Sequence, residues 1–106
     1  MKRTFGRAGN QDNQLSMKVK FFATYRDITG CRELVIPAPS DAFALLDLLA
    51  GRYGPPMRDK VFTKTGEISE DAIMLVNGRH ITHLEGPDTA LSDDDVVSIF
   101  PMVAGG

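Results

Sequence analysis

A two-residue period sets in at Met17. Val19, Phe21, Ala23 and Tyr25 alternate with Lys18, Lys20, Phe22 and Thr24, as in a strand with one buried face. Asp27-Ile28-Thr29-Gly30 is turn chemistry, and Arg32 to Ile36 resumes an extended pattern with Leu34 and Ile36 on one side. The two runs predict a hairpin. Pro37 and Pro39 end its second strand, because proline cannot donate to a ladder and restrains the residue before it.

The period then lengthens. Ala42, Leu45, Leu46, Leu49 and Tyr53 fall at the i, i+3, i+4, i+7, i+11 spacing of one helical face. Ser40 is placed to cap this helix, and Asp41 to meet its dipole in the first turn. Gly54 stands at its end, and Pro55-Pro56 argues against continuation. Residues 57 to 71 show no clear period and read as mostly loop, with Val61-Phe62 one short apolar contact. Ile73 to Val76 is a continuous apolar run, as in a strand covered on both faces. Asn77-Gly78 follows, the strongest short hairpin signal, and Arg79 to His83 returns as a short strand. Residues 84 to 88 make a loop, and Leu91-Ser92-Asp93-Asp94-Asp95 is an acidic turn leading into a last strand, Val96 to Phe100.

Strand, strand, helix and three further strands predict an α+β fold. Its simplest form is a mixed sheet crossed by one main helix, with the first and last strands parallel at the centre. That is the β-grasp, or ubiquitin-like, arrangement. Residues 17–100 form the expected domain. Residues 1–16, polar and without period, are an expected disordered extension, with Met17 an alternative start, and 101–106 are a flexible Gly-Gly tail.

Composition narrows the function classes. The chain has 106 residues, 42% hydrophobic and 25% charged, with net charge -2, ordinary for one soluble domain. Lys2, Arg3 and Arg7 against Asp12 give the first 16 residues +2, leaving -4 for the rest, so neither nucleic acid nor an anionic membrane is an expected partner. A single cysteine, Cys31, excludes an internal disulfide and any multi-cysteine metal site. With no apolar run of membrane-span length and no signal peptide, the expected location is the cytoplasm.

Few residues stand out for chemistry. Cys31 has no Ser, His or Asp constellation around it and reads as a structural or surface thiol. His80 and His83 fall on opposite faces of a strand and have no further ligand cluster. Asp93-Asp94-Asp95 lacks the alternating ligands and closing Glu of a calcium loop and reads as a solvated turn. The glycines around Gly51-Arg52-Tyr53-Gly54 do not follow a strand as a phosphate loop does. No metal and no bound cofactor is expected.

The remaining chemistry lies in Pro101-Met102-Val103-Ala104-Gly105-Gly106. Two glycines make a narrow backbone that threads a tight channel. A terminal carboxylate on Gly106, ionised at neutral pH with a reference pKa of roughly 3.5, is a poor electrophile until it is activated, for instance as an acyl-adenylate. A Gly-Gly ending arises by chance in roughly one chain in 200; otherwise the chain reads as a substrate or carrier with no catalytic site of its own.

Over residues 17–106 the sequence resembles the small, sulfur-carrying subunit of molybdopterin synthase. The likeness is strongest in Val76-Asn77-Gly78-Arg79 and in the run from Leu91 through Phe100-Pro101 to Gly105-Gly106. Met102 stands where that family often has a second proline, and the first 16 residues and the segment 57–71 depart from its shortest members.

The resemblance implies that an adenylating enzyme, similar to ubiquitin-activating enzymes, spends ATP to form an acyl-adenylate on Gly106. A sulfur donor converts this to a thiocarboxylate, which the large synthase subunit uses. On this reading Gly106 carries the sulfur and Gly105 allows passage. Phe100, Pro101, Met102, Val103 and Ala104 bind the partner, although Phe100, Met102 and Val103 also suit ordinary packing. Two rivals share the activation step: a ubiquitin-like modifier joined to lysines, and the thiamine-pathway sulfur carrier. A plain β-grasp binding module or iron-sulfur electron carrier would need no Gly-Gly ending.

Overall fold

The computed structural model describes residues 16–102. The expectations for residues 1–15 and for Val103, Ala104, Gly105 and Gly106 lie outside the described residues. Strand β1 (Met17–Phe21) buries Met17, Val19 and Phe21 and turns Lys18 and Lys20 to the other face. Strand β2 (Glu33–Ile36) pairs with it antiparallel, Val19 opposite Leu34. Strand β5 (Val96–Phe100) lies on the other side of β1 and runs parallel to it, Val19 beside Val97 and Phe21 beside Ile99. Beyond β5 come β3 (Ile73–Val76) and β4 (Arg79–His80), each antiparallel to its neighbour, so the sheet order is β2-β1-β5-β3-β4. This is the predicted β-grasp sheet, with first and last strands parallel at its centre.

Between β1 and β2 the extended pattern fails. Phe22 gives its N–H to the Ile99 carbonyl at 3.1 Å, then Ala23 turns the chain at φ 53° and ψ -128°. A short helix, α1 (Thr24–Thr29), follows. The predicted strand over Ala23 and Tyr25 is therefore corrected: Ala23 is exposed, and Tyr25 reaches the core from the helix. Alternation misled because both conformations bury Tyr25. Its hydroxyl donates to the Asp71 carbonyl at 3.0 Å, 46 residues away.

Helix α2 (Ala42–Tyr53) lays Ala42, Leu45, Leu46, Leu49 and Ala50 against the sheet. Each fully buried leucine contributes about 1.5–3 kcal/mol. The cap is Asp41 rather than Ser40: its carboxylate accepts the Ala44 N–H at 2.8 Å. Ser40 instead offers its backbone carbonyl to Leu91 N–H, beside the bridge that joins Asp41 to Ala90.

Residues 57–71 are not mostly loop. Helix α3 (Pro55–Val61) starts directly after Gly54 and buries Met57 and Val61. The two prolines occupy first-turn positions, where no N–H is needed, so they open a helix where the sequence reading had them only end one. Gly54, at φ 82° and ψ -162°, redirects the chain between α2 and α3. After α3, Phe62 bridges to Ile68, and Ser69 N–H returns to the Val61 carbonyl at 2.7 Å.

The hairpin after β3 turns on Asn77 and Gly78, both at positive φ, as a type I′ turn requires. In β3 only Met74 and Val76 are buried, while Ile73 and Leu75 are half-covered. The apolar run thus hides an alternation. The predicted strand to His83 stops at His80, and Ile81–His83 closes as a 3-10 turn that buries Ile81. No helix among the described residues is long and apolar enough to cross a membrane.

Two glycines three residues apart predict opposite outcomes. Gly51 is an exposed interior residue of α2 with nothing within 4 Å of an added Cβ, so Gly51→Ala is expected to stabilise by about 0.5–1 kcal/mol. Gly54 sits in a backbone region open essentially to glycine alone, and Gly54→Ala should destabilise by about 1–3 kcal/mol. Urea midpoints moving in the same direction would refute this account of the α2–α3 junction.

Burial, and then the nearby Asp71 charge, hold the Tyr25 hydroxyl well above the usual tyrosine range. An unfolded tyrosine ionises near pH 10 while the folded one keeps its proton. Stability should therefore fall as pH rises above about 10. Tyr25→Phe should lose about 1 kcal/mol at pH 7 with its hydrogen bond and show a shallower alkaline decline. An equally steep decline in the variant would assign the alkaline limb to other groups.

Candidate functional site

Strand β5 brings the chain to the site. Val97 and Ile99 point into the core; Val96, Ser98 and Phe100 lie on the opposite face, which no helix among the described residues covers. This face also carries Lys18 and Val35, which share register with Val96, and Leu75, which shares it with Ser98. Phe100 is the last strand residue, opposite Ile73 of β3, so the core holds β5 while Phe100 remains at the surface. β5 is paired on both sides, and a pull on its end is resisted by two ladders at once.

Phe100 has a partner that the sequence reading missed. The Phe22 ring meets it edge to face, centroids 5.9 Å apart, in the geometry favoured by ring quadrupoles. Phe22 is 38% exposed. Adjacent aromatics at the end of a strand point to opposite faces, so Phe21-Phe22 already implied one outward ring. Over Phe22 lies the Arg26 guanidinium, 5.9 Å from the ring centroid, within cation–π range. The turn at Ala23 sets this arrangement. A non-glycine residue at φ 53° and ψ -128° costs about 1–3 kcal/mol in backbone strain, held here beside the exit of the chain.

Pro101 is half-buried and Met102 is 49% exposed. Met102 lines a groove of about 410 Å³ with Ile68, Ala72, Ile73, Ile81 and Pro87. The predicted partner-binding residues Phe100, Pro101 and Met102 thus run from the end of the central strand β5 onto the surface. Val103, Ala104, Gly105 and Gly106 lie outside the described residues.

The other residues singled out in the sequence have structural settings. Cys31 is half-buried against the core. His80 and His83 do not lie on opposite faces: the 3-10 turn brings their rings to 6.2 Å. His80 Nδ1 accepts the Thr82 N–H at 3.1 Å, which leaves the ring proton to Nε2 when the imidazole is neutral. Among the described residues no group of three or more His, Cys, Asp or Glu side chains is placed to hold a metal.

Nor is Asp93-Asp94-Asp95 simply solvated. Asp93 accepts the Ala38 N–H at 2.8 Å, and Asp95 accepts from the Asn77 side chain at 2.8 Å and from the Ser92 N–H at 2.9 Å. Asn77 in turn accepts the Val96 N–H at 2.9 Å. The acidic turn fastens the β3–β4 hairpin to the start of β5.

The ThiS family profile matches residues 19–106. Small archaeal modifier protein 3 of Haloferax volcanii is 36% identical over 101 residues, covering 87% of this chain and 100% of that protein. An Archaeoglobus fulgidus protein assigned as a sulfur carrier is 42% identical over 62 residues, 58% of this chain and 69% of its own. The solved structure of a Pyrococcus furiosus protein assigned as molybdopterin converting factor subunit 1 superposes with a TM-score of 0.67 at 31% identity, covering 84% of this chain and 99% of that one. Parallel β1 and β5 at the sheet centre, the outward Phe100 and a match that runs through the final glycine agree: the chain belongs to the ThiS family of ubiquitin-like sulfur carriers and modifiers.

Proposed function

We propose that this protein is a sulfur carrier of molybdopterin biosynthesis in the cytoplasm. It would act through its C-terminal glycine and hold no cofactor of its own. In the first step an adenylating enzyme joins the Gly106 carboxylate to the AMP part of ATP, releasing pyrophosphate. In the second a sulfur donor displaces AMP, leaving a thiocarboxylate. In the third the tail enters the large synthase subunit and gives its sulfur to a pterin precursor. The observation that carries this reading is the exit of the chain from β5: a doubly paired strand ends at a surface Phe100, and Gly105-Gly106 follow within six residues. Six extended residues span roughly 20 Å, enough to reach a buried pocket from a docked body. The likeness to the Pyrococcus furiosus protein supports the pterin acceptor.

A second reading has its own support. The Haloferax volcanii relative, matched over its whole length, is a modifier protein, and a modifier shares the activation step and ends in an isopeptide bond to lysine. The thiamine-pathway carrier is a further branch of the same chemistry. The product formed separates the readings.

Incubation with ATP, the adenylating enzyme and a sulfur source is expected to give an intact-mass gain equal to oxygen replaced by sulfur. The chain lacking Gly106 should keep its circular dichroism spectrum and show no gain. Mass added instead as conjugates on lysines would favour the modifier. Cys31→Ser is expected to retain the full gain, because the sulfur is placed on Gly106; its loss would move the chemistry to the thiol.

A further inference from the structure

We propose that Arg26 docks a carboxylate side chain of the enzyme that activates the C-terminus, an assignment that rests on the carrier reading above. Three observations converge on it. Arg26 lies against Phe22, which packs on Phe100 where the tail leaves the fold. Lys18, Arg58 and Lys60 each face a carboxylate of this chain; Arg26, like Lys20, Arg32, Arg52, Lys64 and Arg79, has no ion pair among the described residues, but it differs from them in a buried Nε without a hydrogen-bond partner. The turn that delivers it pivots on Ala23, a strained non-glycine residue.

An unpaired buried donor carries a free-energy penalty. The resting position over Phe22 is therefore one that the side chain gains by leaving when an acceptor arrives. A small rotation presents Nε and one terminal nitrogen side by side, the planar fork that matches a carboxylate with two parallel hydrogen bonds. Nucleotide phosphates do not compete for this role. They react at Gly106, up to roughly 20 Å beyond Phe100 along an extended tail, so the anion at the root of the tail belongs to the enzyme surface. A half-buried arginine with a covered Nε beside aromatic rings has the composition of an interface hot spot. The aromatic pair supplies the apolar contact and Arg26 fixes the orientation in which the tail enters.

The test is pyrophosphate exchange by the adenylating enzyme of the same organism, with the full-length chain as the varied substrate at low and high salt. Arg26→Gln is expected to raise KM for the carrier by about 30-fold or more, with kcat unchanged, and to lose most of the salt dependence of the wild type. Arg26→Lys should recover part of the loss, having the charge without the fork. Arg26→Met keeps an apolar stem over Phe22 and should match Arg26→Gln, which covers the case in which glutamine disturbs folding. Thermal midpoints near wild type in either variant confirm that the fold is intact. Unchanged KM and salt dependence in Arg26→Gln and Arg26→Met would overturn the assignment while leaving the carrier reading in place, as would a fall in kcat alone. No exchange with the wild-type chain would overturn the carrier reading and this assignment together.

Discussion

The parallel pairing of β5 with β1 is the constraint from which the rest follows. It places the last strand at the middle of the sheet, between β1 and β3, so the residues before the tail are held by pairing on both sides. A parallel pair needs a crossover connection, and α2 with its following segments fills that need while covering one face with leucines. No helix among the described residues covers the opposite face. A strand that brings its C-terminal end to the open face of a sheet can hand a tail to another protein without loosening the core. This separates the stability of the body from the reach of its end.

The same constraint explains the costly geometry at Ala23. Once Phe22 has given its N–H to Ile99, an extended continuation of β1 would carry the chain on beside Phe100 and cover it. The turn at φ 53° takes the chain away at once and leaves Phe22 and Arg26 flanking Phe100. A glycine would adopt that conformation without strain but would loosen the placement of both side chains. Strain at this position is offset by the burial of Tyr25 and its hydrogen bond to Asp71, which fix α1 from the other side.

Most of the sheet was legible because its signals are local. The alternation of Val19 and Phe21, the Asn77-Gly78 turn and the Val96–Phe100 run each act through neighbours in sequence, and the β-grasp order followed from them. Three features were not legible, for one shared reason: local sequence admitted two conformations and a distant contact chose between them. Tyr25 is buried by strand or helix alike, and Asp71 selects the helix side. Pro55-Pro56 ends one helix or begins another; burial of Met57 and Val61 beneath α2 decides. His80 and His83 separate in a strand and meet in a 3-10 turn, which forms because Ile81 belongs to the core. Near the chain's exit, the outward position of Phe100 follows from its alternation with Val97 and Ile99, whereas the setting of Arg26 was not readable, since it rests on a ring contact and an unpartnered Nε.

The carrier and modifier readings differ less in the body than in what meets the tail. Both need the same first step, an acyl-adenylate at Gly106, because a carboxylate at neutral pH resists attack by thiol and amine alike. Recognition by the activating enzyme would then act on the features the two fates share: the open sheet face, the Phe22–Phe100 pair and Arg26. The acceptor is chosen afterwards, by whichever protein next receives the activated end. A groove beside Met102 that differs from the proline-stiffened ending common among molybdopterin carriers is where such a choice would register. Proline restricts the backbone to one φ region, while methionine leaves it free and adds a flexible, polarisable side chain that fits varied apolar surfaces.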